Sequence, residues 1–144
     1  MTPEPDDLAS LARRQLWVGF AALALFAFLG VVLEGLHAFK ADAYLNVGHE
    51  TRRLMLRLAH AHGTLLALIN IAFGLAVRAF PEAGSKLASS ALLTALALVP
   101  LGFGLGGLFA KGGDPGALVL LVPAGAVALI VGLAAVARAV AKGR

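Results

Sequence analysis

Four side chains could do chemistry in an otherwise apolar chain: Glu34, His37, Arg57 and His60. Imidazole nitrogen and carboxylate oxygen are ligands for zinc, iron or copper, and imidazole alone ligates haem. The same groups can carry protons. Ionisable groups at membrane depth are costly, so their presence there is by default a sign of function. They cluster around the stretch Arg52–Asn70, RRLMLRLAHAHGTLLALIN, which adds Arg53, His62, Thr64 and Asn70.

Helical spacing sorts these residues. Arg53, Arg57, His60 and Thr64 follow i, i+4, i+7, i+11 and form one polar stripe. His62 lies about 200° round from His60, so the two cannot chelate one ion from a regular helix. It shares its face with Leu58, Leu66 and Ile69. A neutral ring hydrogen-bonded to a neighbouring helix is expected there. Glu34 and His37, at i, i+3, can act together. If a short loop sets Lys40 level with Arg53, His37 is as deep as Arg57 and Glu34 as deep as His60. Asn70 then lies near mid-membrane. The predicted metal ligands are Glu34, His37 and His60, and the predicted haem ligands are His37 and His60. Arg53, Arg57, His62, Thr64 and Asn70 are their polar support. No residue is assigned a catalytic role.

The same groups fit a buried ion-pair network, with Glu34 neutralising Arg57 or a protonated histidine, or a proton or ion pathway. Two resemblances extend the choice. Glu34-x-x-His37 resembles the Glu-x-x-His element of di-iron bundles, which use two such elements and two further carboxylates. The later helices offer no carboxylate at depth, so only a symmetric dimer could double the ligands. Arg57-Leu58-Ala59-His60 is similar to the Arg-x-x-His element of the MAPEG family, trimeric glutathione-using membrane enzymes. That resemblance implies four helices and a glutathione-dependent reaction. The family's Asn and Glu would fall on His62 and Leu65, and its later arginines have no counterpart.

The elements that must position these residues are membrane spans. Hydrophobic residues make up 60% and charged residues 14%, against roughly 45–50% and about 25% in soluble domains. The 144 residues leave room for one domain. An all-α, four-helix polytopic bundle is expected, with helices at about 8–39, 51–80, 86–110 and 116–140. Leu16–Leu33 is free of charge, and Trp17 suits an interfacial indole. Pro81 and Gly84 break the second helix, and KGGDPG is a turn by composition. Pro100 is expected to kink the third helix, and Pro123 to bend the fourth slightly. Gly102 with Gly106, Ala124 with Ala128 and Gly132, and Ala27 with Gly30 are small-residue pairs for close helix approach.

Four spans put both termini on one side. That side carries Arg13, Arg14, Arg78, Lys86, Arg138, Lys142 and Arg144, against Lys40, Arg52, Arg53, Arg57 and Lys111 opposite. The positive-inside rule then favours cytoplasmic termini. Arg13-Arg14 and Ala41-Asp42-Ala43 have features of a cleaved leader, but the acidic start and the long apolar run oppose one. The charge of +4 sits at the ends of apolar runs, which speaks for the lipid bilayer as partner and against nucleic acid. Cysteine is absent, which removes thiolate chemistry and c-type haem attachment. GFGLGG at 102–107 follows no strand, so its glycines are packing residues rather than a phosphate loop.

Three functions remain. The first is binding of a transition metal or haem between helices 1 and 2, with redox or proton transfer. The second is a non-enzymatic small subunit of a larger membrane complex, or a homo-oligomer. The third is a MAPEG-like enzyme.

Overall fold

Uncharged runs of spanning length become helices because only intra-segment hydrogen bonding satisfies the backbone in lipid. The computed structural model describes residues 5–142. It contains α1 (Pro5–Ala38), the single-turn α2 (Asp42–Leu45), α3 (Glu50–Ala79), α4 (Lys86–Leu108) and α5 (Leu121–Lys142). Short 3-10 turns precede α3, α4 and α5. No strand occurs among the described residues. Four of the helices are long and apolar enough to cross a membrane, so the fold is all-α with four candidate spans. The fourth span opens with a 3-10 turn, Ala117–Leu120, and becomes α-helical at Leu121. Pro123 therefore lies in the first turn of α5, where its missing N–H has no intrahelical partner to lose.

The four long helices stand in a row in chain order, α1 on α3, α3 on α4 and α4 on α5. Among the described residues no packed seam joins α1 to α5, while α1 also touches α4 at one end. Burial follows from that order. The inner helices α3 and α4 are about half buried within the chain, whereas α1 and α5 are largely exposed. Two apolar clusters fill the row, one around Leu11, Phe73 and Leu92 and the other around Leu66, Leu96 and Val99.

Small residues set the spacing, since lipid supplies no hydrophobic drive between helices and close backbone contact must do so. On the α1–α3 seam, Gly19 lies against Ile71, Gly63 beneath Phe26 and Gly74 against Leu16. On the α4–α5 seam, Gly102 meets Val122, Gly106 meets Val119, Gly125 meets Val99 and Gly132 meets Leu92. The expected Gly102–Gly106 pair is therefore a contact surface. On α5 the contact runs through Gly125, Ala128 and Gly132, and Ala124 is exposed.

Polar contacts join the connections at each end. At one end, Lys86 Nζ lies 3.6 Å from Asp7 Oδ2, and Ser85 caps α4 by accepting from the Ala88 N–H. At the other, Thr51 Oγ1 donates to the Gly113 carbonyl at 2.6 Å. There α1 closes with a Schellman pair, Lys40 N to His37 O at 3.1 Å and Ala41 N to Leu36 O at 3.0 Å. Lys40 occupies the left-handed position with φ of 50°, where glycine is usual. The chain then folds back through α2, whose last carbonyls at Tyr44 and Leu45 accept from Arg53 Nη1 at 3.3 and 3.2 Å.

Candidate functional site

The register of α1 on α3 decides what the histidines can reach. The His60 ring lies over Gly30, and a Cβ there would come within 2.6 Å of its Cε1. Its Nδ1 is 2.7 Å from the Phe26 carbonyl. A carbonyl only accepts, so Nδ1 carries the proton. His60 is thus level with Phe26–Gly30, about one turn away from the Glu34 level expected for it. The difference arises in the connection. With α2 folded back, α3 starts at about the height of Lys40, so the level pair is Lys40 with Glu50 rather than Lys40 with Arg53.

That shift parts the expected cluster. Glu34, His37 and Arg57 are all exposed. No ion pair involving Glu34 or Arg57 occurs among the described residues; Arg53 pairs weakly with Glu50 at 3.9 Å and Lys86 with Asp7. His37 lines a shallow cleft of about 500 Å³ with Lys40, Asp42 and Asn46, at the loop end and away from His60. Among the described residues no three His, Asp or Glu side chains come close enough to hold one metal ion. The buried Glu34–Arg57 or Glu34–His60 pair is thus replaced by separate, exposed groups. Charged side chains near a span's end lower their cost by reaching the interface.

The rest of the stretch is used locally. Arg53 fastens α2. Thr64 is half-buried, and its Oγ1 has no partner among the described residues. Asn70 is fully buried and donates from Nδ2 to the Leu66 carbonyl at 2.8 Å and the Leu92 carbonyl at 3.4 Å. His62 donates from Nδ1 to the Leu58 carbonyl of its own helix at 2.9 Å, not to a neighbouring helix. Its contact with α4 is ring on ring, with centroids 4.9 Å from those of Phe103. His60 and His62 therefore face α1 and α4 respectively, as their angular separation requires.

A second polar centre, absent from the sequence reading, lies at the other end of the molecule. Gln15 on α1 and Ser89 on α4 are fully buried. Gln15 Nε2 donates to Ser89 Oγ at 2.7 Å and to the Ser89 carbonyl at 3.1 Å. Arg14 Nη2 donates to the same hydroxyl at 2.6 Å. Gln15 Oε1 and Asn70 Oδ1 are buried without a partner among the described residues. The signal was available: Leu8, Ala12, Gln15 and Gly19 stand at i, i+4, i+7, i+11, which puts Gln15 on the packed face of α1. It was masked by the charged residues beside it.

What the arrangement offers chemically is narrow. With Nδ1 of His60 engaged by the Phe26 carbonyl, Nε2 is the ring nitrogen left for a ligand, and a backbone bond at Nδ1 is the usual way a histidine ligand is oriented. The amide–hydroxyl centre holds no nucleophile paired with a base. Compared with protein-family models, curated proteins and solved structures, this chain has no match.

Proposed function

We propose that the chain is a non-enzymatic small subunit of a larger membrane assembly, meeting its partner on the face that bears Glu34 and Arg57. The observation that carries this reading is that both charges stand exposed on membrane-length helices, unpaired among the described residues. Ionisable groups in spans usually pair with one another or with a bundle interior, and a second protein would supply that pairing. The exposed apolar residues beside them, Val31 and Leu54 among them, would supply the contact area. A photo-crosslinking residue at Val31, in protein isolated from its own membrane in mild detergent, should give a discrete adduct. The same group at Ile130 on α5 should give none, and Glu34→Gln with Arg57→Gln should abolish the Val31 adduct. A monomeric particle without adducts overturns the reading.

A second reading has one observation in its favour, the Nδ1 bond of His60 to Phe26. It leaves Nε2 able to bind a transition metal or haem, with the remaining ligands supplied by another subunit, because Glu34 and His37 stand apart from it. A stoichiometric metal or a haem absorption band in the purified assembly, lost in His60→Ala and kept in His62→Ala, would support it over the first.

A further inference from the structure

On the outer side of α1 lies a groove of about 850 Å³ that opens toward the surroundings. Its upper walls carry Arg13 from α1 and Arg78 from α3. Because Gly74 rests on Ala12 and Leu16, Arg78, one turn further on, comes within a turn of Arg13 in height. No carboxylate is paired with either arginine among the described residues. Ser10 adds a hydroxyl to the same wall, although that hydroxyl already donates to the Asp7 carbonyl. Directly below, Trp17 and Phe20 line the groove, and both are exposed.

Depth identifies the occupant. The charge-free run begins at Leu16, and an indole at that point belongs at the headgroup level. The two guanidinium groups therefore lie among lipid headgroups, and Phe20 lies among acyl chains. We propose that this groove binds an anionic phospholipid, its phosphate between Arg13 and Arg78 and one acyl chain along Trp17 and Phe20. Arginine's planar fork suits phosphate oxygens, and basic pockets between spans are a known way of holding anionic headgroups. A free phosphate would leave the apolar floor unused. Asp6, at the outer rim of the same groove, opposes additional negative charge. That favours a phosphodiester of single charge over a phosphomonoester.

The test uses the full chain, delipidated in mild detergent and titrated separately with dioleoyl phosphatidylglycerol, dioleoyl phosphatidylcholine and inorganic phosphate. Native mass spectrometry counts what stays bound. Phosphatidylglycerol should be retained at concentrations where phosphatidylcholine is lost, and phosphate should not displace it. Arg13→Gln with Arg78→Gln should weaken retention roughly tenfold or more, and Arg138→Gln should leave it unchanged. Arg78→Gln alone, at an exposed position outside the helix seams, should give an intermediate loss and guards against misfolding of the double variant. Equal retention of the two lipids, full displacement by phosphate, or unchanged retention in Arg78→Gln each overturns the proposal.

Discussion

Two polar clusters of this molecule, one toward each end, are placed in opposite ways. At the end bearing the α1–α3 connection, the ionisable candidates stand outside: Glu34, His37 and Arg57 are exposed. At the end bearing the termini, a cluster of uncharged polar residues stands inside, with Gln15, Ser89 and, one turn deeper, Asn70 fully buried, while the charged Arg13, Arg78 and Lys86 of that end stay exposed. Burying an ion costs far more than burying an amide or hydroxyl that finds a backbone partner. Charge therefore goes to the surface unless something holds it in, and neutral groups can be enclosed where a carbonyl is within reach. The groups most conspicuous in the sequence are, for that reason, not the ones that hold the helices together.

The sharpest way to break this contrast is to remove the enclosed amide. Gln15→Ala deletes two hydrogen bonds to Ser89 and leaves a cavity, so it should cost about 2–4 kcal/mol in detergent unfolding. A loss below that of Glu34→Gln would reverse the contrast. Next comes the contact between the regions. Gly30→Ala forces the His60 ring off its seat and should cost about 1–3 kcal/mol through overpacking and the lost Phe26 bond. The resonance of the His60 ring proton on Nδ1, followed by NMR, should shift or vanish at the same time; an unmoved signal would show that the ring does not rest on Gly30.

Smaller effects sharpen the exposed end. Lys40→Gly relieves a left-handed backbone position and should raise stability by up to about 1 kcal/mol in thermal unfolding. A destabilisation would mean that the Schellman turn is not formed. Smallest of all, Glu34→Gln and Arg57→Gln, each made in the isolated chain, should change stability by no more than about 0.5 kcal/mol. A loss of several kcal/mol for either, as from a stranded partner in a buried pair, would show that these charges are enclosed after all.

The spans were legible because spanning length and absence of charge are strong, local signals. The opposed directions of His60 and His62 were legible too, because angular separation on a helix is arithmetic. Depth across the first connection was not. It depends on whether residues 40–50 run straight or fold back, and α2 with the Lys40 turn shortens that path by about a turn. That one shift moves His60 from Glu34 to Gly30. Gln15 and Ser89 were missed for a different reason. A lone glutamine beside two arginines reads as interfacial, and a serine near a helix start reads as a cap; only the α1–α4 contact joins them.

The open row of helices has a consequence for how the chain enters the bilayer. The outermost members, α1 and α5, are the most apolar of the four, and α3, enclosed by neighbours on both sides, is the least. A span that faces lipid on most of its circumference can partition by itself, and a less apolar one gains from a companion already in place. In chain order α1 precedes α3, and its face with Gly19 and Gly30 offers α3 a lodging surface as the histidines and Asn70 of α3 leave water. The hydrogen bond from Thr51 to Gly113 can close only after α4 has carried Gly113 to the end where α3 begins, so it ties the start of α3 to the turn of the second hairpin.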